Sequence, residues 1–203
     1  MLKTSVKKYS IITLSQIIVG IGVGFVVKSG MGNDPLGVMV SGISKQTGVS
    51  FGTVSNLVAL TIVLFMLLFY RKRLSLTTLI SALVIGWTVD PVVSLLSGFN
   101  VPVIVNNIIY PIVGCLILSV GVGMCLAMNY GAASTDNLIL MICDFANKPY
   151  SFACTLCYIM FFAIGFVLKG VWGYATLLSI LLNGRLIDFF TKQFDWLNRW
   201  TEA

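Results

Sequence analysis

The feature that most constrains this chain is a stretch that occurs twice. Thr78, Leu79, Ser81, Leu83, Gly86 and Asp90 return as Thr176, Leu177, Ser179, Leu181, Gly184 and Asp188, each 98 residues on. Most positions between them are aliphatic in both copies; the exceptions are Ile85/Asn183, Trp87/Arg185 and Thr88/Leu186. The correspondence extends along the halves. Gly22 and Gly24 match Gly121 and Gly123, Gly32 matches Gly131, and Ser50-Phe51 matches Ser151-Phe152. A chain that repeats itself in this way is built from a duplicated unit. The repeats run over residues 9–98 and 104–194 of a single domain, 1–203.

That unit has to live in a bilayer. Of the 203 residues 58% are hydrophobic and 10% charged, against roughly 25% charged in a soluble domain. Too little polar surface exists to cover the chain in water. The expected class is an all-α integral membrane protein. The first apolar run, Tyr9 to Val27, lacks a small-residue cleavage site and has the length of a spanning helix, so it belongs to the fold and is not a signal peptide. Net charge is +6, clustered at Lys3, Lys7 and Lys8, at Arg71–Arg73, and at Lys192 and Arg199. These clusters flank apolar runs, which argues against nucleic acid and for orientation in a membrane.

Two short segments decide the topology. Residues 35–46 and 135–145 follow glycine-rich breaks at 30–35 and 129–136. Each is too short to span; stretches of 10–14 residues are more often re-entrant or interfacial. If neither crosses, the amino terminus, Arg71–Arg73 and the carboxyl terminus all fall in the cytoplasm, and the uncharged link at 97–103 falls outside, as the positive-inside rule prefers. Each half then crosses three times, and an odd number sets the second half upside down. The expectation is two inverted-topology repeats, six spanning helices and two short broken or re-entrant helices, in the bacterial inner (cytoplasmic) membrane with both termini cytoplasmic. A polar tail with Trp196 and Trp200 is expected at the interface.

The run Gly30-Met-Gly-Asn-Asp-Pro-Leu36, the run Thr47-Gly-Val-Ser-Phe-Gly-Thr-Val54, the helix at 77–90 and Tyr130-Gly-Ala-Ala-Ser-Thr-Asp136 together resemble the YczE/YyaS/YitT group of bacterial integral membrane proteins. The resemblance covers nearly the whole chain in the same order. It departs at Asn147-Lys-Pro149, where the first half has a Thr-Gly turn. It implies a small inner-membrane protein and brings no catalytic residues.

Candidate chemistry gathers at the breaks. Non-helical backbone at membrane depth must be buried in protein or line a wet cavity, and the helix starts beyond it offer free amides to a polar or anionic group. Asn33 and Asp34 stand at the first break; Ser134, Thr135, Asp136 and Asn137 at the second. Asp90 and Asp188 form the repeat-matched acidic pair, and an acid inside a membrane usually faces a partner or a cavity. Arg185 lies three residues before Asp188 and could pair with it. Thr176, Ser179 and Asn183 form a polar stripe that suits either interhelical glue or a pathway. Catalysis lacks its usual parts: there is no histidine and no HExxH, GxSxG or P-loop. Cys154-x-x-Cys157 has the spacing of a redox or metal pair but stands alone among five cysteines in apolar runs, so neither metal nor cofactor is expected.

The functional expectation is a small transporter or permease for a small polar or anionic solute, not an enzyme. Its site would be the paired breaks, supported by Asp90, Asn183, Arg185 and Asp188. Its partners would be the solute, the lipid bilayer and a second copy docked through the glycine-bearing helices. Two other readings fit the same sequence: a membrane scaffold or regulator binding a partner protein or lipid, and a substrate-capture subunit of a larger transporter.

Overall fold

The computed structural model describes residues 2–202, and nine α-helices account for most of them. They are α1 (Leu2–Ser29), α2 (Pro35–Thr47), α3 (Phe51–Phe69), α4 (Leu76–Ser97), α5 (Tyr110–Ala127), α6 (Ser134–Ala146), α7 (Tyr150–Val167), α8 (Tyr174–Gln193) and α9 (Asp195–Glu202). A π-helical turn, Val105–Ile109, leads into α5. The side chains of Lys3, Arg73 and Glu202 lie outside the described residues.

The helices stop where the sequence says they must. Seven described residues have left-handed backbone besides those in regular helix, and six of them pair across the chain: Gly30 with Asn129, Gly32 with Gly131 and Gly48 with Asn147, each 99 residues apart. Only glycine adopts this conformation freely, with asparagine next, so the breaks are written into the chain twice. Lys169 is the unmatched seventh. The amino terminus departs from expectation. Helix α1 begins at Leu2 rather than Tyr9, because Lys7 and Lys8 are good helix formers and charge marks only where the membrane ends.

Among the described residues five helices are long and apolar enough to cross a membrane: Val6–Ser29, Phe51–Phe69, Leu76–Ser97, Val105–Ala127 and Tyr150–Val167. Helix α8 was expected as a sixth. Its 20 residues suffice in length, but Asn183, Arg185, Asp188 and Lys192 make it too polar to count on composition. The outward faces are apolar, with Leu57, Leu64, Leu68 and Phe69 on α3 and Ile159, Phe166 and Val167 on α7 all exposed. A surface of this kind is stable only against lipid or another apolar layer.

Helices α1 and α5 cross at the centre and run antiparallel. Val26 and Gly22 meet Gly114, and Val19 and Ser15 meet Gly121. A Cβ at Gly22 would sit 2.5 Å from the Leu118 amide nitrogen, so the crossing needs glycine there. Helix α4 packs on α1 and α8 on α5; α3 packs on α4 and α7 on α8; α2 lies on α7 and α6 on α3. Each of these contacts has its counterpart when the halves are exchanged. The glycines expected to hold a second copy are used inside the chain: Gly20 and Gly24 against α4, Gly123 against α8.

Each break docks on the start of the other half's fourth helix. The Asn33 amide donates to Val171 O at 3.2 Å and the Ala175 amide to Met31 O at 3.3 Å. Across the bundle, Thr77 Oγ1 donates to Tyr130 O at 3.0 Å and Thr78 Oγ1 to Ala132 O at 3.1 Å. Thr77, Thr78, Ser81, Thr176 and Ser179 are all buried. Their stripes act first as glue for the breaks, as such residues do in membrane bundles.

Candidate functional site

The two short helices start against one buried cavity of about 80 Å³. By the usual measure this is room for about five waters. Asp34, Leu36 and Gly37 line it from α2; Ala133, Ser134, Thr135 and Asp136 from α6. Gln16 closes one wall from α1, Ser55 and Asn56 come from α3, Ser81 from α4 and Tyr158 from α7. The rest of the lining is apolar. No lysine or arginine is among the lining residues.

Each carboxyl reaches this place by a different local device. Asp34 is the N-cap of α2, with Pro35 in the first turn, and its Oδ2 accepts from the Gly37 amide at 3.3 Å. An aspartate caps a helix by taking one of the first four orphan amides. Helix α6 begins instead at Ala133, which has no side chain to cap with. Its Ser134 amide donates to Ser81 Oγ at 3.3 Å. Asp136 sits within the first turn, and its Oδ1 accepts from the Tyr150 hydroxyl at 2.8 Å, while Oδ2 takes no protein donor. Asp34 is 8% exposed and Asp136 6%. An isolated buried carboxylate is costly to keep ionised, and no cation of the protein lines the cavity to relieve either one.

Gln16, 1% exposed, was not singled out in the sequence. Its carboxamide orientation follows from its neighbour. Ser15 Oγ gives its proton to Ile12 O at 2.7 Å, so it can only accept from Gln16, whose Nε2 stands 3.4 Å away. That assignment leaves Oε1 as the atom with no hydrogen-bond partner. A buried acceptor in this state costs about 1–3 kcal/mol. Gln16 is the one carboxamide in the apolar run of α1, and that is the signal by which it could have been noticed.

The expected site residues separate into two groups. Asp34, Ser134, Thr135 and Asp136 share the cavity. Asn33 is buried behind it, with Nδ2 at 3.4 Å from Gly37 O. Asn137 is buried too, and Nδ2 donates to Thr78 Oγ1 at 2.8 Å, so it braces the break from behind. The expected residues of α4 and α8, Asp90, Asn183, Arg185 and Asp188, do not line the cavity. Asp90 accepts from Ser50 Oγ at 2.7 Å and from the Gly52 amide at 2.8 Å, which ties α4 to the start of α3. Gly86 faces the same helix, its amide donating to Asn56 Oδ1 at 3.1 Å. Arg185 is exposed and Asp188 half-buried, and the expected ion pair between them is not formed; the three-residue spacing allows it, but Arg185 points outward. Asn183 is fully buried and neither amide atom has a partner. Cys154 and Cys157 are free and buried in the packing of α7.

An all-helical bundle with an apolar exterior, five helices long and apolar enough to cross a membrane, and a mostly apolar central cavity that holds two carboxyls has the make-up of an all-helical membrane protein. The chain is a member of the family of unknown function DUF6198, whose model matches residues 6–192. It is similar to the uncharacterized protein YyaS of Bacillus subtilis, 25% identical over 187 residues that cover 90% of this chain and 92% of the relative. It is also similar to an uncharacterized protein of Haemophilus influenzae, 29% identical over 184 residues that cover 91% of this chain and 83% of the relative. No solved structure gives a significant match.

Proposed function

We propose that this chain is a small permease that passes a small polar solute through the cavity between Asp34 and Asp136. The observation that carries the reading is the convergence of two helix starts, one from each half, on a single buried cavity. Discontinuous helices meeting near the middle of a repeat-built bundle are the usual way a secondary transporter forms its site.

In this reading the halves lie in the membrane in opposite senses. Helices α1, α3, α4, α5, α7 and α8 cross, while α2 and α6 re-enter. Three observations support it. The repeat mates α1 and α5 are antiparallel neighbours. The left-handed positions recur at one offset. The chain's ends meet, with Lys7 Nζ 5.2 Å from the Trp200 ring centroid. Lys8 stands over Tyr130, and Lys72 lines a cleft with Tyr9 and Tyr130. The Lys-rich start, the basic turn after α3, the second break and the tail therefore share one end. Lys28 and Lys169 adjoin the first break and the α7–α8 turn at the opposite end. The heavier positive charge puts the first end in the cytoplasm. Helix α8 crosses despite its polarity because Asn183 is buried in the bundle, while Arg185 and Lys192 can extend toward the interface.

The test is uptake by proteoliposomes carrying purified protein. A panel of small labelled solutes should include one that enters, and Asp136→Asn should cut its rate at least tenfold while the variant keeps its elution profile and melting temperature. No uptake of any solute, or uptake indifferent to Asp136→Asn, would end the reading.

A further inference from the structure

We infer that the cavity takes a small monovalent cation, an alkali ion or a protonated amine of ammonium size, held between Asp34, Asp136 and Gln16. This names the substrate or coupling-ion class of the same site, and it rests on the permease reading for its role in transport.

Charge sets the sign. The lining carries two carboxyls and no lysine or arginine. The starts of α2 and α6 contribute roughly half a positive charge each. Two carboxylates against about one positive charge leave a deficit of about one. One monovalent cation closes that deficit, and an anion would double it. A divalent ion would overshoot it, and among the described residues no group of three metal-ligating side chains exists to hold one.

Gln16 points the same way without reference to charge. Because the Ser15 proton is committed to Ile12 O, the unpartnered atom of the buried Gln16 is an oxygen. It is an acceptor, so whatever completes it is a donor or a cation. At Asp136 the Tyr150 hydroxyl binds Oδ1 and leaves Oδ2 free for a further partner. Free acceptors beside two carboxyls, with no lysine or arginine in the lining, suit a cation. Size agrees: about 80 Å³ holds a small ion with a few waters.

The experiment is the melting temperature of the full chain in detergent, at constant ionic strength and pH. Chloride salts of sodium, potassium, ammonium and methylammonium are each exchanged against N-methylglucamine. One of the small cations should raise the melting point by about 5 °C when saturating, and the comparison of alkali with ammonium salts separates the two sources. Asp136→Asn and Gln16→Leu should each abolish most of the rise; if one variant fails to fold, the other decides. Equal melting in all salts overturns the inference. So does a rise that survives in both variants, or a response to pH with no discrimination among cations, which would mean that a proton fills the site. The permease reading fails separately. A cation-specific rise with no flux of any solute sinks transport and keeps the cation site. Flux that needs Asp136 but ignores the cation sinks the cation site and keeps transport.

Discussion

The two helix starts that meet at the cavity occupy matching places in the two halves of the chain, yet they hold their acids differently. At α2 the acid is the cap itself, bonded to the helix it begins. At α6 the cap position is an alanine, and the acid sits inside the first turn under the hydroxyl of Tyr150. The two halves therefore share the break and not the wiring. The left-handed glycines recur because backbone geometry admits no substitute. The carboxyl lies three positions further on in the second half, because several positions in a first turn can face the same space. One half contributes an acid that is also structural, the other an acid whose only protein partner is a phenol.

The largest expected effect tests the shared part. Gly32 has φ +109°, and a Cβ there would meet the Gly173 amide and sit 2.7 Å from Thr176 Oγ1; Gly30 has φ +67° with nothing within 4 Å. Gly32→Val should abolish a monodisperse peak in size-exclusion chromatography. Gly30→Ala should lower the melting temperature only slightly, by about 1–2 kcal/mol of backbone strain. Should Gly32→Val run as the wild type does, the breaks are not rigidly docked and their match across the halves loses its physical basis.

Next comes the division between the two acids. Asparagine caps a helix as well as aspartate does, and alanine does not. Asp34→Asn should stay folded and lose uptake at least tenfold; Asp34→Ala should lose uptake and also about 1 kcal/mol of stability. Asp136→Ala should lose uptake without the capping penalty. Equal stability losses for the two alanine variants, read by thermal melts, would erase the distinction between a capping acid and a free one.

A smaller effect separates Asp90 from Asp188, the pair that most resembles itself in sequence. Asp90 accepts two hydrogen bonds from the start of α3. Asp188 has no such tie, since Ala153 stands near where the first half has Gly52 and helix α8 does not approach as closely. Asp90→Ala should cost about 1–2 kcal/mol, in line with removing a charged acceptor from the buried Gly52 amide and the exposed Ser50 hydroxyl, and Asp188→Ala less than about 0.5 kcal/mol. Equal losses in chemical denaturation would return both to one role.

These contrasts also mark how far the sequence can be read. Helix limits were legible to within a few residues wherever glycine, asparagine or proline forces the backbone, as at Gly30–Pro35 and Asn129–Ser134. Asp34 and Asp136 were legible because each adjoins a break. Gln16 was not, because a single carboxamide in an apolar helix has no period and no neighbour in sequence that betrays its direction. Tyr150 and Tyr158 were hidden for the same reason. Asp90, Asn183, Arg185 and Asp188 were drawn toward the site by their recurrence and charge. Recurrence reports duplication, though, and which face of α4 or α8 turns inward is decided by Gly86 packing on α3 and by the breaks bonding to Thr77, Thr78 and the start of α8.

The smallest predicted effect is the most specific to one half. Tyr150→Phe keeps the ring in its packing and removes only the donor to Asp136 Oδ1. That hydrogen bond favours the ionised carboxylate, so its loss makes Asp136 hold its proton to higher pH. If uptake needs the ionised form, the acid limb of the pH–rate profile should move up by about one unit, the change that 1.4 kcal/mol of lost interaction produces. The stability above that limb should fall by the same amount, about 1.4 kcal/mol, and the loss should shrink below it. Tyr150→Phe in an Asp136→Asn background should have no further effect on the profile, because the titrating partner is gone. A shift of the limb that persists in the double variant would show that Tyr150 acts through packing, and the acid of the second half would then be as fixed as the cap of the first.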